Sequence, residues 1–271
     1  MGWMHAVARW PLGLMLPFIV LWSIGCSWFL VRLTRRFAPH GEYESNNEPV
    51  GHVYAVFGVL YGVLLAFTII VAWERFAEAE RNVMAETTTV SKLWRDVGAF
   101  PSGLASEIHR DLVDYSVSVV ADEWSELGLH GQPHARTQAI YEHLWQEVYR
   151  LEPATKSQEA FLGEVLADIN ELSASRRLRV LHSRTGINPI LWVALILGAV
   201  PTLFVPTLLS TRQSWVQVVS TSAVALCVLL NLYVALVLQY PFTGSVAIEK
   251  EPFVRLHESL QQRLTEPPPA P

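Results

Sequence analysis

Tyr54, Tyr61 and Thr68 place three hydroxyls at seven-residue spacing in a run free of Asp, Glu, Lys and Arg. At that spacing side chains lie nearly on one helix face, drifting about 20° per repeat. Hydroxyls aligned along a membrane span can replace part of an ion's hydration shell, so the chemistry on offer is permeation. The column continues as Arg75, Asn82, Thr89 and Asp96. Arg75 would gather anions at a mouth just past the apolar run, with Glu74 and Glu78 beside it opposing that effect. Phe57, Tyr61 and Leu65, at four-residue steps, have the bulk for a constriction that closes by drying. The expected pore-lining residues are therefore Tyr54, Phe57, Tyr61, Leu65, Thr68 and Arg75. The competing expectation for this column is plain hydrogen bonding between helices, with Tyr54 as an interfacial anchor.

Other chemistry is scarce. The chain has no P-loop, dinucleotide fingerprint, CxxC, GxSxG or HExxH, so no catalytic residue is expected. His143 and Glu147 lie one helical turn apart, but with no third ligand placed they read as a solvated face rather than a metal site. Glu123-Trp124 reads as an exposed acid beside a buried ring. No cofactor is implied, and no basic patch suggests nucleic acid.

These residues belong to a membrane protein. Of 271 residues, 51% are hydrophobic and 17% charged, against about 25% charged in ordinary soluble domains. Residues 11–31, 50–73, 187–209 and 215–238 carry no charged side chain. Each run is long enough to cross a hydrocarbon core about 30 Å thick as a helix. The first is too long for a signal-peptide core and is expected to be retained. Charged residues inside spans usually mark ion-coupled transporters, so their lack points away from that class while leaving channels open. The predicted fold is all-α, with four transmembrane helices and a helical cytoplasmic domain between the second and third spans. Its divisions are a first hairpin at 1–73, the helical domain at 74–186, a second hairpin at 187–239 and a tail at 240–271.

The second span shows no reason to stop at the membrane edge. No proline follows Pro49 before Pro101, and no glycine follows Gly62 before Gly98. One long helix over residues 49–97 is predicted. Beside the polar column runs a small or apolar one: Ala55, Gly62, Ile69, Phe76, Val83, Val90 and Val97. Ala55, Gly58, Gly62 and Ala66 form a GxxxG-like face on which helix backbones can approach closely, within one subunit or between two. Further helices are predicted over about 102–127, 134–151 and 155–184. Pro201 and Pro206 should kink the third span. Residues 39–48 read as a polar loop, and Pro267-Pro268-Pro269 ends the tail in an expected disordered stretch. Cationic residues near span ends are more numerous on the side of Arg9, Arg75, Arg81 and Arg184 than on that of Arg32, Arg35, Arg36 and Arg212. That places the N-terminus inside, although most of the majority lies in the long segment 74–186.

Several stretches together resemble a bacterial family of bestrophin-like membrane proteins. They are Phe57-Gly58-Val59-Leu60-Tyr61-Gly62, Leu65-Ala66-Phe67 with Trp73, Tyr115 with Glu123-Trp124, and Arg176-Arg177-Leu178-Arg179 before Gly186-Ile187-Asn188-Pro189 and Trp192. The resemblance covers about residues 50–244. It implies kinship with bestrophins, pentameric anion channels with four membrane helices, cytosolic termini and a second helix that lines the constriction. Tyr240-Pro241-Phe242-Thr243-Gly244 is similar too. The chain departs where bestrophins carry an acidic calcium-binding run: here Ser245-Val246-Ala247-Ile248-Glu249-Lys250 follows, so calcium regulation is not expected. The implied partners are further copies of this chain, as a pentamer by analogy, the lipid bilayer and inorganic anions. The implied location is a bacterial inner membrane with both termini cytoplasmic. Two functions fit: an oligomeric anion-permeable channel, or a non-conducting scaffold or sensor acting through the helical domain.

Overall fold

The computed structural model describes residues 2–37, 47–209 and 213–265. The triple proline, Arg212 and all of the 39–48 loop except Asn47 and Glu48 lie outside them. Every regular element described is a helix, and four are long and apolar enough to cross a membrane. The chain forms two compact units: Met1–Arg75 with Gly186–Gln239, and Phe76–Thr185 with Tyr240–Pro271.

The first unit holds α1 (Gly2–Ala8), α2 (Leu12–Phe37), the start of α3 (Asn47–Val97), α8 (Pro189–Leu208) and α9 (Ser214–Leu238). On α2 the buried residues Met15, Ile19, Ser23, Ser27 and Val31 recur every fourth position, a line that packs on α9. Serines suit that line because small side chains let helices approach closely where lipid gives no hydrophobic drive. Asn188 caps α8 by accepting the Ile190 N–H at 3.0 Å, with Pro189 in the first turn. At the other end Gln217 donates to the carbonyls of Thr207 and Leu209, and its own oxygen accepts Arg35 Nε at 3.0 Å. One carbonyl of the last turn of α8 and the one just past it thereby gain a donor.

The second unit holds the rest of α3, α4 (Ser102–Ser118), a π-helical turn (Val119–Glu123), α5 (Trp124–His130), α6 (Ala135–Tyr149), α7 (Lys156–Arg184) and α10 (Glu251–Thr265). Its core joins Val83, Val90, Leu93 and Val97 of α3 to Ile108, Leu112, Leu144, Ile169, Leu172 and Phe253. Residues 240–265, expected as a separate tail, are part of this core. Phe242 meets Trp124 edge to face at 5.4 Å, and Phe253, Leu256 and Leu260 bury the apolar face of α10. Gly128 makes room for that segment: a Cβ there would lie 2.5 Å from the Phe242 carbonyl oxygen. Thr243 Oγ1 donates to the Gly128 carbonyl at 2.8 Å.

Candidate functional site

The 51-residue α3 runs unbroken from Asn47 to Val97, as the missing prolines and glycines predict. Its polar column, however, faces inward. Tyr61 is 4% exposed and Thr68 1%. Tyr61 Oη donates to the Leu195 carbonyl at 3.0 Å, Tyr54 Oη to Thr202 at 3.1 Å, and Thr68 Oγ1 to Leu64 at 2.9 Å. Tyr61 and Leu65 form a core with Leu195, Ala199 and Val228, against which Phe57 packs. Within a single chain, then, Tyr61, Leu65 and Thr68 are packed inside the protein. In hydrocarbon a hydroxyl without a partner is costly, so it turns to helical carbonyls inside the protein. Tyr54 and Phe57 are half-buried, and Arg75 is exposed, donating to the Gly186 carbonyl at 2.5 Å.

The small face is open on this chain. Ala55, Gly62 and Ala66 are exposed, and a Cβ on Gly58 or Gly62 would meet nothing. A groove of about 470 Å³ runs along Gly58, Gly62 and Ala66, with Ala223, Cys227 and Asn231 of α9 on its far wall. Opposite the buried column, Val56, Val59, Val63, Phe67 and Ile70 form a bulky apolar stripe uncovered by the chain. The same small-or-apolar column that lies open at Ala55 and Gly62 is buried at Val83, Val90 and Val97.

Beyond Arg75 the inward face of α3 carries charge. Glu86, wholly buried, accepts Arg179 Nε at 2.7 Å and Tyr115 Oη at 2.5 Å. Arg179 also pairs with Glu123 at 2.9 Å, and Arg176 reaches Glu123 at 3.1 Å. Two carboxylates thus face two guanidiniums, and Arg179 lies over the Phe253 ring. Burial works against the Arg179 charge, but Glu86, Tyr115 and Glu123 outweigh it and hold its pKa well above the usual value. Burial first, then Glu86, pushes the Tyr115 phenol up. The expectation of an exposed Glu123 is corrected: it is 0% exposed. The π turn adds a residue to the helical turn, so Glu123 and Trp124 both face the core.

Sequence reading missed Glu86 and the partnership of Arg176 and Arg179. A signal was available, because both arginines extend the buried α7 line of Val165, Ile169 and Leu172 at three- and four-residue steps. His143 presents Nδ1 to Asp111 at 2.8 Å, and its Nε2 faces Glu147 at 3.7 Å. The hydrogen bond that the ring donates to Asp111 raises the His143 pKa, which favours a donating ring over a ligating one. Among the described residues no group of three or more His, Cys, Asp or Glu is arranged to hold a metal.

Comparison with known proteins gives a consistent picture. The sequence profile of the bestrophin-like domain matches residues 21–253. No curated protein matches the chain in sequence. A bacterial bestrophin homolog from Klebsiella pneumoniae, a crystal structure phased with zinc, is similar at TM-score 0.68 and 16% identity, over 93% of this chain and 99% of that one. A single-residue variant of the Klebsiella pneumoniae homolog gives TM-score 0.67 at 15% identity, over 93% and 99%. At such identities the likeness is one of fold.

Proposed function

The chain belongs to the bestrophin-like family, known as ion channels, and we propose that it forms a homo-oligomeric, anion-permeable channel with α3 of each copy around the axis. The observation that carries this reading is the uncovered stripe of α3. Val56, Val59, Val63, Phe67 and Ile70 are between 48% and 67% exposed. Brought together around an axis, such side chains make a narrow passage that gates by drying. The stripe continues past the apolar run through Glu74, Arg81, Met84 and Thr88, which suit a wet vestibule. Arg75 favours anions at the inner mouth, by roughly 1–4 kcal/mol at about 4 Å depending on effective dielectric. Tyr54 and Phe57 border the path, while Tyr61, Leu65 and Thr68 line it only in a state where α8 has moved away from α3.

In this reading the membrane is a bacterial inner membrane, both termini are cytoplasmic, and residues 74–186 face the cytoplasm. The open face of Ala55, Gly58, Gly62 and Ala66 meets a neighbouring copy.

Reconstitution in planar bilayers with asymmetric chloride tests the proposal. Phe67→Ala should widen the constriction and raise conductance, and Arg75→Glu should shift the reversal potential toward cations. Wild-type currents no greater than those of empty bilayers, across voltage and pH, would favour the scaffold or sensor. That second reading has one observation behind it: an open groove of about 590 Å³ in the second unit, lined by Phe76, Val83, Met84, Ile248 and Pro252. Cysteines placed at Ser45 and Ser125, with Cys26 and Cys227 replaced, read the topology. An impermeant thiol reagent should label only the first in intact cells.

A further inference from the structure

In the second unit, the last turns of α7 expose a leucine pair set among arginines. Leu178 and Leu181 are 41% and 48% exposed. They lie on the side of α7 turned away from its buried Ser175, Arg176 and Arg179. Ala174, Arg177 and Arg184 are exposed on that same side. Arg177 has no hydrogen bond or ion pair among the described residues. Arg184 keeps its charge while donating to the Gly131 carbonyl at 2.5 Å. The groove of about 590 Å³ in this unit has the opposite character. Phe76, Val83, Val246 and Ile248 give it an apolar floor, with Glu80, Glu249 and Glu251 around it. The one cation in its wall, Arg255, is already paired with Glu251 at 2.7 Å. Glu80 and Glu249 have no ion pair among the described residues.

We propose that the outward face of α7 in one copy seats in this groove of the next copy, with Leu178 and Leu181 on the apolar floor and Arg177 toward Glu80 and Glu249. Charge makes the match directional. A guanidinium meets carboxylates when face meets groove, whereas two such faces, or two grooves, would bring like charges together. Two different patches on one chain make a heterologous contact, which closes into a ring when its rotation closes.

The two patches also lie at one level. Asn82 donates to the Ser175 carbonyl at 2.8 Å, and Glu86 pairs with Arg179 at 2.7 Å. The stretch of α3 that lines the groove therefore runs beside the stretch of α7 that carries the leucines. Rotation about an axis along α3 preserves that level, so the face of one copy reaches the groove of the next without sliding. Register points the same way. Phe76 and Val83 continue, at seven-residue spacing, the column of Ala55 and Gly62, the face proposed to meet a neighbouring copy. Arg81 and Thr88 are not part of the groove wall, so a seated neighbour leaves them to the vestibule. The docking rests on the homo-oligomer part of the channel reading and not on conduction.

The test uses the full chain with Cys26 and Cys227 replaced. Thr87→Cys, in the groove, combined with Ala174→Cys, one turn before Leu178 on the outward face, should give a ladder of dimers and higher species with a short bis-maleimide. Each single cysteine should give none. Thr87→Cys alone should be shielded from a thiol reagent in the oligomer and open to it in dilute monomers. In a dilution series read by mass photometry, Arg177→Glu should raise the concentration at which the oligomer comes apart by about fivefold. Glu80→Arg with Glu249→Arg should do the same, and all three changes together should restore the wild-type midpoint. An oligomer of wild-type mass that gives no ladder overturns the docking and leaves the homo-oligomer reading in place. So do charge changes whose effects add instead of cancelling. Equal labelling of Thr87→Cys in oligomer and monomer also overturns it, and leaves the groove to a partner of another kind. A chain that stays monomeric at every concentration overturns both readings.

Discussion

The two halves of α3 solve one problem in opposite materials. Between Tyr54 and Thr68 the polar groups of the inward column are hydroxyls, each donating to a backbone carbonyl. Between Asn82 and Asp96 the inward face holds Glu86 and Asp96, and both find cations. Bulky apolar side chains point outward in the first half, where lipid accepts them, and inward in the second, where water does not. What persists along the helix is neither a wet face nor a dry one. It is the rule that no buried polar atom goes without a partner if the fold can supply one. The difference lies in the size of the interaction and hence in what its loss costs.

Breaking the buried charge cluster should therefore have the largest effect. Arg179→Met leaves Glu86 and Glu123 facing each other's side of the core with half their cations gone. Removing one partner of such a pair costs about 3–5 kcal/mol. Thr68→Val, the matching change in the membrane half, removes a hydroxyl whose carbonyl acceptor already lies within its own helix. It should cost under about 1 kcal/mol. Denaturant unfolding of the purified chain measures both. Equal costs would break the comparison. Glu86→Leu combined with Arg179→Met should cost less than the sum of the single changes, because neither charge is then stranded.

Glycines sharpen it at the next level. A Cβ on Gly198 would lie 2.4 Å from the Tyr61 ring, and one on Gly128 would lie 2.5 Å from backbone oxygen. Gly198→Ala and Gly128→Ala should each cost about 1–3 kcal/mol through overpacking. Gly58→Ala and Gly62→Ala meet nothing on their own chain. Any destabilisation they cause must come from a neighbouring copy, so it should disappear in dilute detergent monomers and appear in the oligomer. Gly62→Leu, which blocks close approach, should lower the oligomer mass, and an unchanged mass would remove this face from the subunit contact.

Helix positions were legible because their causes are local. Apolar runs, Pro101, Gly98 and the cap at Asn188 act within a turn or two of themselves, so the spans and the length of α3 could be read directly. The facing of the Tyr54–Tyr61–Thr68 column was not legible, because a hydroxyl every seventh residue serves a pore and a helix contact equally well. Which it serves depends on α8, whose carbonyls lie more than 130 residues away in sequence. Glu123 escaped for another reason. Periodicity arguments assume one helical pitch, and the π turn at Val119–Glu123 shifts the register by one. Glu86 and Arg179 are paired across 93 positions, and no short-range pattern announces such a pair.

The smallest expected effect separates burial from hydrogen-bond demand. Tyr61 is the more buried of the two tyrosines that reach α8, so a burial argument makes Tyr61→Phe the costlier change. Donor counting says the reverse. Tyr61 adds its hydroxyl to the Leu195 carbonyl, which also lies four residues before the N–H of Ala199 in the same helix. Tyr54 donates to Thr202, and the residue four positions on is Pro206, which has no N–H to give. Thr202 is 5% exposed, so water does not replace the lost donor. Tyr54→Phe should therefore cost about 1 kcal/mol and Tyr61→Phe about half that, within the range for interhelical bonds in membranes. Tyr54→Phe with Pro206→Ala should recover most of the loss, because alanine restores the helical N–H. If Tyr61→Phe proves the costlier, or Pro206→Ala gives no recovery, the carbonyl freed by Pro206 is not what Tyr54 is there to satisfy.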